Sequence, residues 1–180
     1  MAYEVLSYGA ESIVYIGYIL GRRVVVKERI SKPYRNPRFD EEFRRYRTRI
    51  EAKILSDLCN AGVNVPRPLI VDLKNYTIVM EYIDGVKMID LINDLKTDEI
   101  EYYAYIIGRQ LGRIHSLDIY HGDFTLGNLL VTRDKKVYVI DFGLAGYSRD
   151  IEEYAIDLHL LRRNILAVYP DILDLFMNSV

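Results

Sequence analysis

The segment HGDFTLGN, residues 121–128, and the segment DFG, residues 141–143, decide how this sequence is interpreted. The first segment places a histidine, an aspartate and an asparagine in one short loop, and the second adds another aspartate thirteen residues after Asn128. Either segment alone is compatible with a polar turn. Because both spacings occur together, a catalytic loop is the preferred interpretation, and the rest of the sequence places that loop in a fold.

A long amphipathic helix is predicted to precede this loop and to begin near Thr97, because apolar residues recur there at helical spacing. These residues are Ile100, Tyr103, Ile107, Leu111 and Ile114. After the loop, NLLVT and KVYVID predict two short strands, and residues 150–163 and 170–178 predict closing helices. This half of the chain is therefore expected to be mostly helical.

Two β-branched and aromatic runs nearer the amino end, SIVYIGYIL and RRVVVKERI, flank Leu20-Gly21-Arg22 and predict an antiparallel hairpin. Pro33 and Pro37 close this section, and a helix is predicted from about residue 38 to residue 60. The apolar residues at helical spacing in it are Phe43, Tyr46, Ile50, Ile54 and Leu58. This helix is therefore expected to pack on the hairpin.

Two further strands, RPLIVDL and YTIVMEYI, are predicted to turn at Lys74-Asn75, and the pattern breaks at Asp84-Gly85. The break is interpreted as a boundary between two lobes. Residues 1–83 would form an N-terminal lobe, a small antiparallel sheet with one helix that binds a nucleotide. Residues 84–180 would form a reduced, mostly helical C-terminal lobe with the catalytic loop and the metal site. The predicted fold class is α+β.

The spacing of Asp123, Asn128 and Asp141 resembles the catalytic loop and metal site of protein kinases. Transfer of a γ-phosphoryl group requires a group that positions the acceptor and oxygen ligands that hold magnesium against the phosphates. The resemblance implies that Asp123 is the base and that Asn128 and Asp141 are the magnesium ligands. We therefore expect these side chains to converge around a divalent cation.

Lys27 and Glu51 extend the resemblance into the first half of the chain. Lys27 ends VVVK on a predicted strand, where a kinase keeps the lysine that contacts the α- and β-phosphates. Glu51 lies near the predicted buried face of the following helix, where it could pair with Lys27. The alternative for Glu51 is an exposed carboxylate among arginines.

The segments expected to bind ATP are a degraded glycine-rich loop and a hinge. SYGAESIV keeps only the middle glycine of the kinase pattern G-x-G-x-x-G-x-V. The residues assigned to this loop are Gly9, Ala10, Glu11, Ser12 and Val14. The hinge would run from Met80 to Ile83, with the backbone of Glu81 and Ile83 meeting adenine.

Two features of ordinary protein kinases are missing. Only about seven residues separate Gly143 from the next predicted helix, which leaves no space for an activation segment, and there is no APE motif. Thr125 stands where many kinases carry a lysine that steadies the γ-phosphate. The sequence therefore indicates an atypical, minimal kinase.

Four segments narrow the resemblance to the PRPK-like family, the small atypical kinases of the KEOPS complex in archaea and eukaryotes. They are GAES in place of the glycine loop, KPYRNPRFDEEF with RTRIEAKIL, HGDFTLGNLL, and EEYAIDLHLLRR soon after DFG. The similarity covers nearly the whole chain. RIO kinases are related but carry different loop sequences, so they rank lower.

This resemblance implies a bilobal protein-kinase-like fold that binds ATP and Mg²⁺, with weak serine/threonine kinase activity and ATP hydrolysis in the assembled complex. The biological role would be support of the threonylcarbamoyl modification of tRNA adenosine (t6A). The main partner would be the KEOPS catalytic subunit, which has a sugar-kinase-like ATPase fold, together with other KEOPS subunits. Asp157 in AIDLHLL matches an acidic residue that braces the catalytic loop in kinases.

Composition limits where the protein works and what it binds. The single cysteine, Cys59, excludes an internal disulfide and a cysteine-based zinc site and suits a reducing cytosol. The start MAYEVLSYG does not resemble a signal peptide, and no apolar run approaches the ~20 residues that span a bilayer. A cytoplasmic protein without membrane contact is therefore expected. The net charge of -2 gives no general attraction for nucleic acid.

A basic segment, Lys32–Arg49, is the candidate for tRNA contact. The basic residues in and just before it are Arg29, Lys32, Arg35, Arg38, Arg44, Arg45, Arg47 and Arg49. They could bind RNA phosphates or a partner subunit, or they could form a solvated helix face offset by neighbouring acids. The family usually ends in a short basic tail, and the final residues LDLFMNSV contain no basic residue.

Two alternatives to a protein kinase remain open. Small-molecule kinases of the aminoglycoside or choline type also use His-Gly-Asp with an asparagine five residues on, but they build the acceptor pocket from additional C-terminal helices. Only 37 residues follow Gly143, which leaves little chain for such a pocket. The second alternative is a nucleotide-gated regulatory subunit that does not require phosphotransfer.

Overall fold

The computed structural model describes residues 4–180, which form an α+β fold of two compact units. The first unit comprises the described residues up to Asp57 together with Pro66–Tyr82, and the second comprises Leu58–Val65 and Ile83–Val180. The division after Tyr82 lies one residue before the boundary that the sequence predicted. The assignment of residues 58–65 to the second unit differs from that prediction.

The first unit contains one antiparallel sheet with the strand order β1-β2-β3-β5-β4. The strands are β1 (Glu4–Tyr8), β2 (Ser12–Ile19), β3 (Arg22–Arg29), β4 (Pro68–Asp72) and β5 (Thr77–Glu81). The predicted hairpin is confirmed, since Ile19 pairs with Arg22 across a two-residue turn. Both turn residues, Leu20 and Gly21, have positive φ angles, and turns of this kind match the twist of the strands that they join.

Helix α1 (Pro37–Asn60) follows the hairpin. Asn36 caps its amino end, because the Asn36 Oδ1 atom accepts hydrogen bonds from the backbone N–H groups of Arg38 and Phe39. Pro37 occupies the first helical position, where a backbone N–H would have no partner within the helix. The sequence therefore fixes the start of α1 to within one residue.

The predicted apolar face of α1 is only partly correct. Ile54 and Leu58 are fully buried, but the Tyr46 side chain is 58% exposed. In the first turns of the helix the buried positions include the polar residues Asp40 and Thr48 instead. The hydrophobic pattern failed there because buried polar side chains, which are satisfied by local partners, look like surface residues in a sequence.

The described part of the second unit combines four α-helices and three 3-10 turns with two small sheets. Its helices are α2 (Met88–Leu91), α3 (Thr97–His115), α4 (Ile151–Val168) and α5 (Leu173–Ser179), with 3-10 turns at Ile92–Asp94, Leu126–Asn128 and Pro170–Ile172. One sheet has the order β6-β8-β9 and the other pairs β7 with β10. Their strands are β6 (Gly85–Lys87), β7 (Ile119–Tyr120), β8 (Leu129–Thr132), β9 (Val137–Val139) and β10 (Gly146–Tyr147).

The long helix predicted from Thr97 is confirmed as α3. The five apolar residues that defined its pattern are all buried. Helix α4 extends to Val168, five residues beyond the predicted end at residue 163. The elements α2, β6, β7 and β10 were not predicted, because segments of two to four residues are too short to show a period.

The segment 58–65 belongs to the second unit because polar contacts tie it to β9 and α3. The Asn64 carbonyl accepts a hydrogen bond from the Val139 N–H at 2.9 Å, and the Asn64 amide donates to the Val137 carbonyl at 3.2 Å. Arg113 of α3 donates to the Ala61 carbonyl at 2.7 Å. The carbonyl groups of Ala61 and Asn64, which lie outside regular secondary structure, thereby have hydrogen-bond partners.

None of the helices found between residues 4 and 180 is both long enough and apolar enough to cross a lipid bilayer.

Candidate active site

A buried carboxylate on α1 binds two cations on β3. The Lys27 Nζ atom lies 2.6 Å from Glu51 Oε1, and the Arg29 guanidinium lies 2.6 Å from Glu51 Oε2. Lys27 is 5% exposed and Glu51 is 2% exposed. The predicted pairing of Lys27 with Glu51 is therefore confirmed, and the alternative of a solvent-exposed carboxylate is wrong.

Arg29 is a member of this cluster that the sequence interpretation counted only among surface basic residues. Lys27 and Arg29 lie two positions apart on one strand, so their side chains point to the same face. A second carboxylate, Glu11, lies 3.9 Å from the Arg29 guanidinium. Two cations and two carboxylates thus form one cluster, in which charges of opposite sign compensate the cost of burial.

The loop assigned to nucleotide phosphates forms a tight turn in the first unit. The Gly9 N–H donates to the Ser12 carbonyl at 2.8 Å, and a Cβ atom at Gly9 would approach that carbonyl oxygen to 3.2 Å. Ala10 is exposed, and Ser12 is buried. Val14 on β2 pairs directly with Lys27 on β3, so the loop leads into the strand beside the lysine.

The predicted hinge residues differ from one another in their surroundings. Met80 is a buried residue of β5 that pairs with Val25. The Glu81 N–H donates to the Arg67 carbonyl at 2.9 Å, so this donor is used within the first unit. Ile83 is half-buried and begins the second unit. The assignment of this segment to adenine stays a prediction.

The loop HGDFTLGN brings Asp123 and Asn128 into direct contact in the second unit. The Asn128 Nδ2 atom donates to the Asp123 carbonyl and to Asp123 Oδ2, both at 2.9 Å. This contact fixes the amide orientation, because only the nitrogen can donate, and it turns Asn128 Oδ1 away from Asp123. Asn128 Oδ1 is therefore not used in the contact with Asp123.

Asp141 follows directly after a residue that is bonded to Asn128. The Ile140 N–H donates to the Asn128 carbonyl at 2.9 Å, which joins the end of β9 to the catalytic loop. Asp141 has a φ angle of 62°, in the left-handed region, and its Oδ1 atom accepts the Gly143 N–H at 3.2 Å. Backbone strain of this kind concentrates at functional sites.

The donor atoms of Asn128 and Asp141 suit magnesium. Both residues offer oxygen, and magnesium usually takes one or two protein ligands and completes its shell with phosphate oxygens and water. Between residues 4 and 180 there is no group of three or more His, Cys, Asp or Glu side chains that could hold a metal ion. The oxygen donors of Asn128 and Asp141 therefore fit the ligand preference of magnesium.

His121 is a structural residue of the loop and not a second base. Its Nδ1 atom accepts the Asp123 N–H at 3.2 Å, and its Nε2 atom lies 3.0 Å from the Ile140 carbonyl, to which it can only donate. Burial lowers the pKa of His121 below its usual value, and this outweighs the opposite effect of Asp157. The ring is therefore neutral and carries its proton on Nε2.

Asp157 on α4 holds the first residues of the loop. Its carboxylate is completely buried and accepts the backbone N–H groups of His121 and Gly122, both at 2.8 Å. His115 at the end of α3 lies 3.0 Å from the same carboxylate. The bracing contact predicted for Asp157 is thus present, and it fixes the loop from which Asp123 projects.

Asn164 is a second brace that the sequence did not reveal. Its Oδ1 atom accepts the Leu126 N–H at 3.0 Å. Asn164 follows Asp157 by seven residues, or two helical turns, so both side chains lie on one face of α4. That spacing is visible in the sequence. However, asparagine in a helix is usually a surface residue, and no sequence pattern distinguishes Asn164 from one.

Phe124 and Phe142 pack against the His121 ring, with centroid distances of 5.6 Å and 4.7 Å. Both phenylalanines are fully buried. The phenylalanine of DFG therefore anchors the segment that carries Asp141 to the loop that carries Asp123. This packing is a hydrophobic counterpart to the hydrogen bond between Ile140 and Asn128.

The chain between DFG and α4 is short, and its residues 146–148 and 150 make backbone hydrogen bonds or cap α4. Gly146 and Tyr147 pair with β7, the Ser148 N–H donates to the Asp118 carbonyl, and Asp150 caps α4. A Cβ atom at Gly146 would meet the Tyr120 side chain, which would have to shift. The structure therefore has no activation segment here.

Known proteins resemble this chain over most of its length. The sequence model of the RIO domain family matches residues 22–168. The KEOPS complex subunit Bud32 of Pyrococcus abyssi is 42% identical over 166 residues, which cover 89% of this chain and 75% of that protein. The EKC/KEOPS complex subunit BUD32 of Yarrowia lipolytica is 33% identical, with 93% of this chain and 77% of that protein covered.

The chain belongs to the Bud32 family of RIO-domain proteins. The predicted resemblance to the small atypical kinases of the KEOPS complex is thereby confirmed. RIO kinases, which the sequence interpretation ranked as a lower alternative, share the domain family that includes this chain. A RIO domain is kinase-like, which implies binding of ATP.

A longer relative also matches this Bud32-family chain. A probable bifunctional tRNA threonylcarbamoyladenosine biosynthesis protein of Methanobrevibacter smithii is 39% identical over 165 residues. These residues cover 92% of this chain but only 29% of that protein. The chain therefore corresponds to less than a third of the bifunctional relative.

Glu51→Gln should destabilise the protein by about 3–5 kcal/mol, because it removes the carboxylate that two buried cations share. Lys27→Met should cost less, because Arg29 still binds Glu51. Urea unfolding would measure both free energies. Glu42→Gln, at an exposed position of the same helix, is the control and should stay within about 0.5 kcal/mol of the parent protein. A Glu51→Gln protein as stable as this control would contradict the shared-carboxylate interpretation.

The His121 ring should titrate below pH 6.5, because burial lowers its pKa from that usual value. The unfolded chain then binds this proton at higher pH than the folded chain does, so the free energy of unfolding should decrease as the pH falls below 6.5. Imidazole NMR signals would measure the titration, with the same protein unfolded in urea as the reference. A His121 signal that titrates at the same or a higher pH in the folded protein would show that burial does not lower the pKa of the ring.

Proposed function

We propose that this chain is an ATP- and magnesium-dependent atypical serine/threonine protein kinase with ATPase activity. It acts as a KEOPS subunit that supports the t6A modification of tRNA. The observation that carries the proposal is the loop HGDFTLGN, in which Asn128 binds Asp123 and is joined through Ile140 to Asp141. This arrangement supports the proposal, in which Asp123 would be the base and Asn128 and Asp141 would be the oxygen ligands for a cation.

The residues of the second unit divide the work between acceptor and cation. Asp123 would accept the proton of an attacking hydroxyl or position a water molecule, and Asn128 keeps its carboxylate in place through the 2.9 Å hydrogen bond. Asn128 Oδ1 and the Asp141 carboxylate would hold Mg²⁺. Bound magnesium would neutralise the negative charge that develops on the transferred phosphoryl group.

The residues of the first unit would bind the nucleotide. Lys27, held by Glu51, would contact the α- and β-phosphates as a fixed cation. The turn Gly9–Ser12 and Val14 would line the phosphates, and the backbone of Glu81 or Ile83 would meet the adenine. In the Glu81 backbone the carbonyl is the group to test, because the N–H is bonded to Arg67.

The names of the relatives support the KEOPS assignment. The proteins of Pyrococcus abyssi and Yarrowia lipolytica are named as KEOPS subunits, and that of Methanobrevibacter smithii is named for tRNA threonylcarbamoyladenosine biosynthesis. We propose that the main partner of this chain is the KEOPS catalytic subunit with its sugar-kinase-like ATPase fold, and that the chain works in the cytoplasm.

The basic segment Lys32–Arg49 is proposed as the contact for tRNA, with part of its charge already used within the helix. Arg38 pairs with Glu42, Arg45 with Glu41 and Arg44 with Asp40. The segment still has more basic than acidic residues, which is the property that attracts phosphates. Its contribution should therefore be modest and sensitive to salt.

Asp123→Ala and Asp141→Ala should each lower MgATP turnover by roughly 100-fold or more, because they remove the base and a magnesium ligand. Turnover would be followed by phosphate release in the assembled complex and by phosphate transfer to protein. The exposed Asp171→Ala is the control, and thermal unfolding would verify that all variants are folded.

Unchanged turnover in either aspartate variant would refute the proposed enzyme and leave the nucleotide-gated subunit. Turnover stimulated by a sugar, an amine or an alcohol, and not by protein partners, would instead favour a small-molecule kinase.

A KEOPS catalytic subunit should co-purify with this chain and raise its ATP hydrolysis. An unrelated protein with the same sugar-kinase-like fold is the control and should neither bind nor stimulate. Size-exclusion chromatography and phosphate release would measure the two effects. Failure to associate at micromolar concentrations would remove the chain from the proposed complex.

A further inference from the structure

Two segments distinguish this sequence from ordinary kinases. GAES replaces the glycine-rich loop, and KPYRNP, residues 32–37, connects β3 to α1. The two segments are separated along the chain by the whole β2–β3 hairpin. In the folded protein they are joined by one arginine, Arg35.

Arg35 contacts both the turn and the helix. Its guanidinium donates a hydrogen bond to Glu11 Oε1 and lies 3.6 Å from Asp40 Oδ1 in the first turn of α1. It also lies over the Phe43 ring, 4.5 Å from the centroid. The side chain is only 17% exposed, so these contacts are partly shielded from water and from salt.

The backbone around Arg35 keeps this side chain in place. Pro33 and Pro37 restrict the φ angles on either side, and the Arg35 N–H donates to the Lys32 carbonyl at 3.0 Å. Asn36 caps α1 immediately afterwards. Arg35 therefore projects from a segment with restricted backbone freedom, so the segment is already ordered without the contact to Glu11.

Asp40 is ionised, so Arg35 faces two carboxylates. Burial by itself would raise the pKa of Asp40, but hydrogen bonds from Arg44 and Ser31 outweigh burial and lower it. The Arg44 Nε atom lies 2.8 Å from Asp40 Oδ2. Asp40 thus anchors the arginine to the helix, and Glu11 connects the arginine to the turn.

Glu11 is in turn connected to the lysine cluster. Its carbonyl accepts the Ile30 N–H at 3.1 Å, and its carboxylate lies 3.9 Å from Arg29, which binds Glu51. The position of the turn is therefore coupled to the same charges that orient Lys27. A glycine-rich loop depends on backbone freedom, whereas this turn is held by ion pairs.

We infer that Arg35 is a positioning residue for the nucleotide phosphates. It fixes the turn Gly9–Ser12 through Glu11 and neutralises a carboxylate that would otherwise repel the triphosphate. The inference rests on the proposed binding of ATP and adds a residue outside the kinase motifs. It also gives the KPYRNP segment a direct contact with the GAES turn.

The test is a double-mutant cycle with Arg35→Gln, Glu11→Gln and the combination of both. Arg35→Gln should weaken MgATP binding about tenfold and raise KM similarly, since hydrogen bonds between charged groups contribute at this level. The kcat value should change less than about twofold, because the catalytic loop is untouched. Arg35→Lys keeps the charge but cannot contact Glu11 and Asp40 at once as the guanidinium does. Its MgATP affinity should therefore fall between those of the parent protein and Arg35→Gln.

The decisive comparison is made in the Glu11→Gln background. There the additional Arg35→Gln substitution should change MgATP affinity by less than about twofold, because the contact to the turn is already lost. An undiminished tenfold loss in that background would overturn the inference, since Arg35 would then act without Glu11. A loss in kcat without a change in KM would also overturn it.

A measurement without nucleotide separates this inference from the proposed function. Arg35→Gln should accelerate hydrogen exchange at the Gly9 amide, which closes the turn, in the free protein. Arg149→Gln is the matched control. It removes an exposed arginine–carboxylate pair, in which Arg149 Nε lies 2.8 Å from Asp118 Oδ2, that does not involve the turn. Unaltered exchange at Gly9 would overturn the inference. A parent protein that does not bind MgATP would refute the proposed function instead.

Discussion

The geometry of the catalytic loop depends on one buried carboxylate, Asp157. A buried charge is costly unless hydrogen bonds compensate it, and Asp157 accepts hydrogen bonds from the His121 and Gly122 N–H groups and lies 3.0 Å from the His115 ring. The loop conformation in the structure directs both of these donors at the one carboxylate. The same conformation places Asp123 beside Asn128. The need of the buried Asp157 carboxylate for hydrogen bonds therefore helps to set the positions of both side chains.

In the first unit, too, buried charges have compensating partners, but here a carboxylate compensates buried cations. Glu51 satisfies Lys27 and Arg29 together, and Glu11 and Arg35 extend the cluster to the turn at Gly9–Ser12. Each unit therefore has a largely buried polar network that side chains from several elements hold in place. Such networks define one arrangement because a partly satisfied alternative leaves a charge without compensation.

The sequence predicted those parts of the structure that produce a period or a known spacing. Helix α3 followed from its apolar repeat, and the Lys27–Glu51 pair followed from a motif. Tyr46 was misplaced because the buried face of α1 begins with Asp40 and Thr48, which the hydrophobic pattern cannot recognise. The contact between Arg35 and Glu11 had no signal at all, because two polar residues 24 positions apart become neighbours only through the hairpin between them.

The attachment of residues 58–65 to the second unit affects how the protein can be divided for expression. A cut at Asp84-Gly85, where the sequence pattern breaks, would leave Asn64 on the wrong fragment. The Val139 N–H and the Val137 carbonyl would lose their partners, and the buried side chains of Leu58 and Val65 would be removed from the core to which they belong. A separately produced carboxyl-terminal fragment would therefore lack part of its own core, and a fragment meant to fold alone should include residues 58–65.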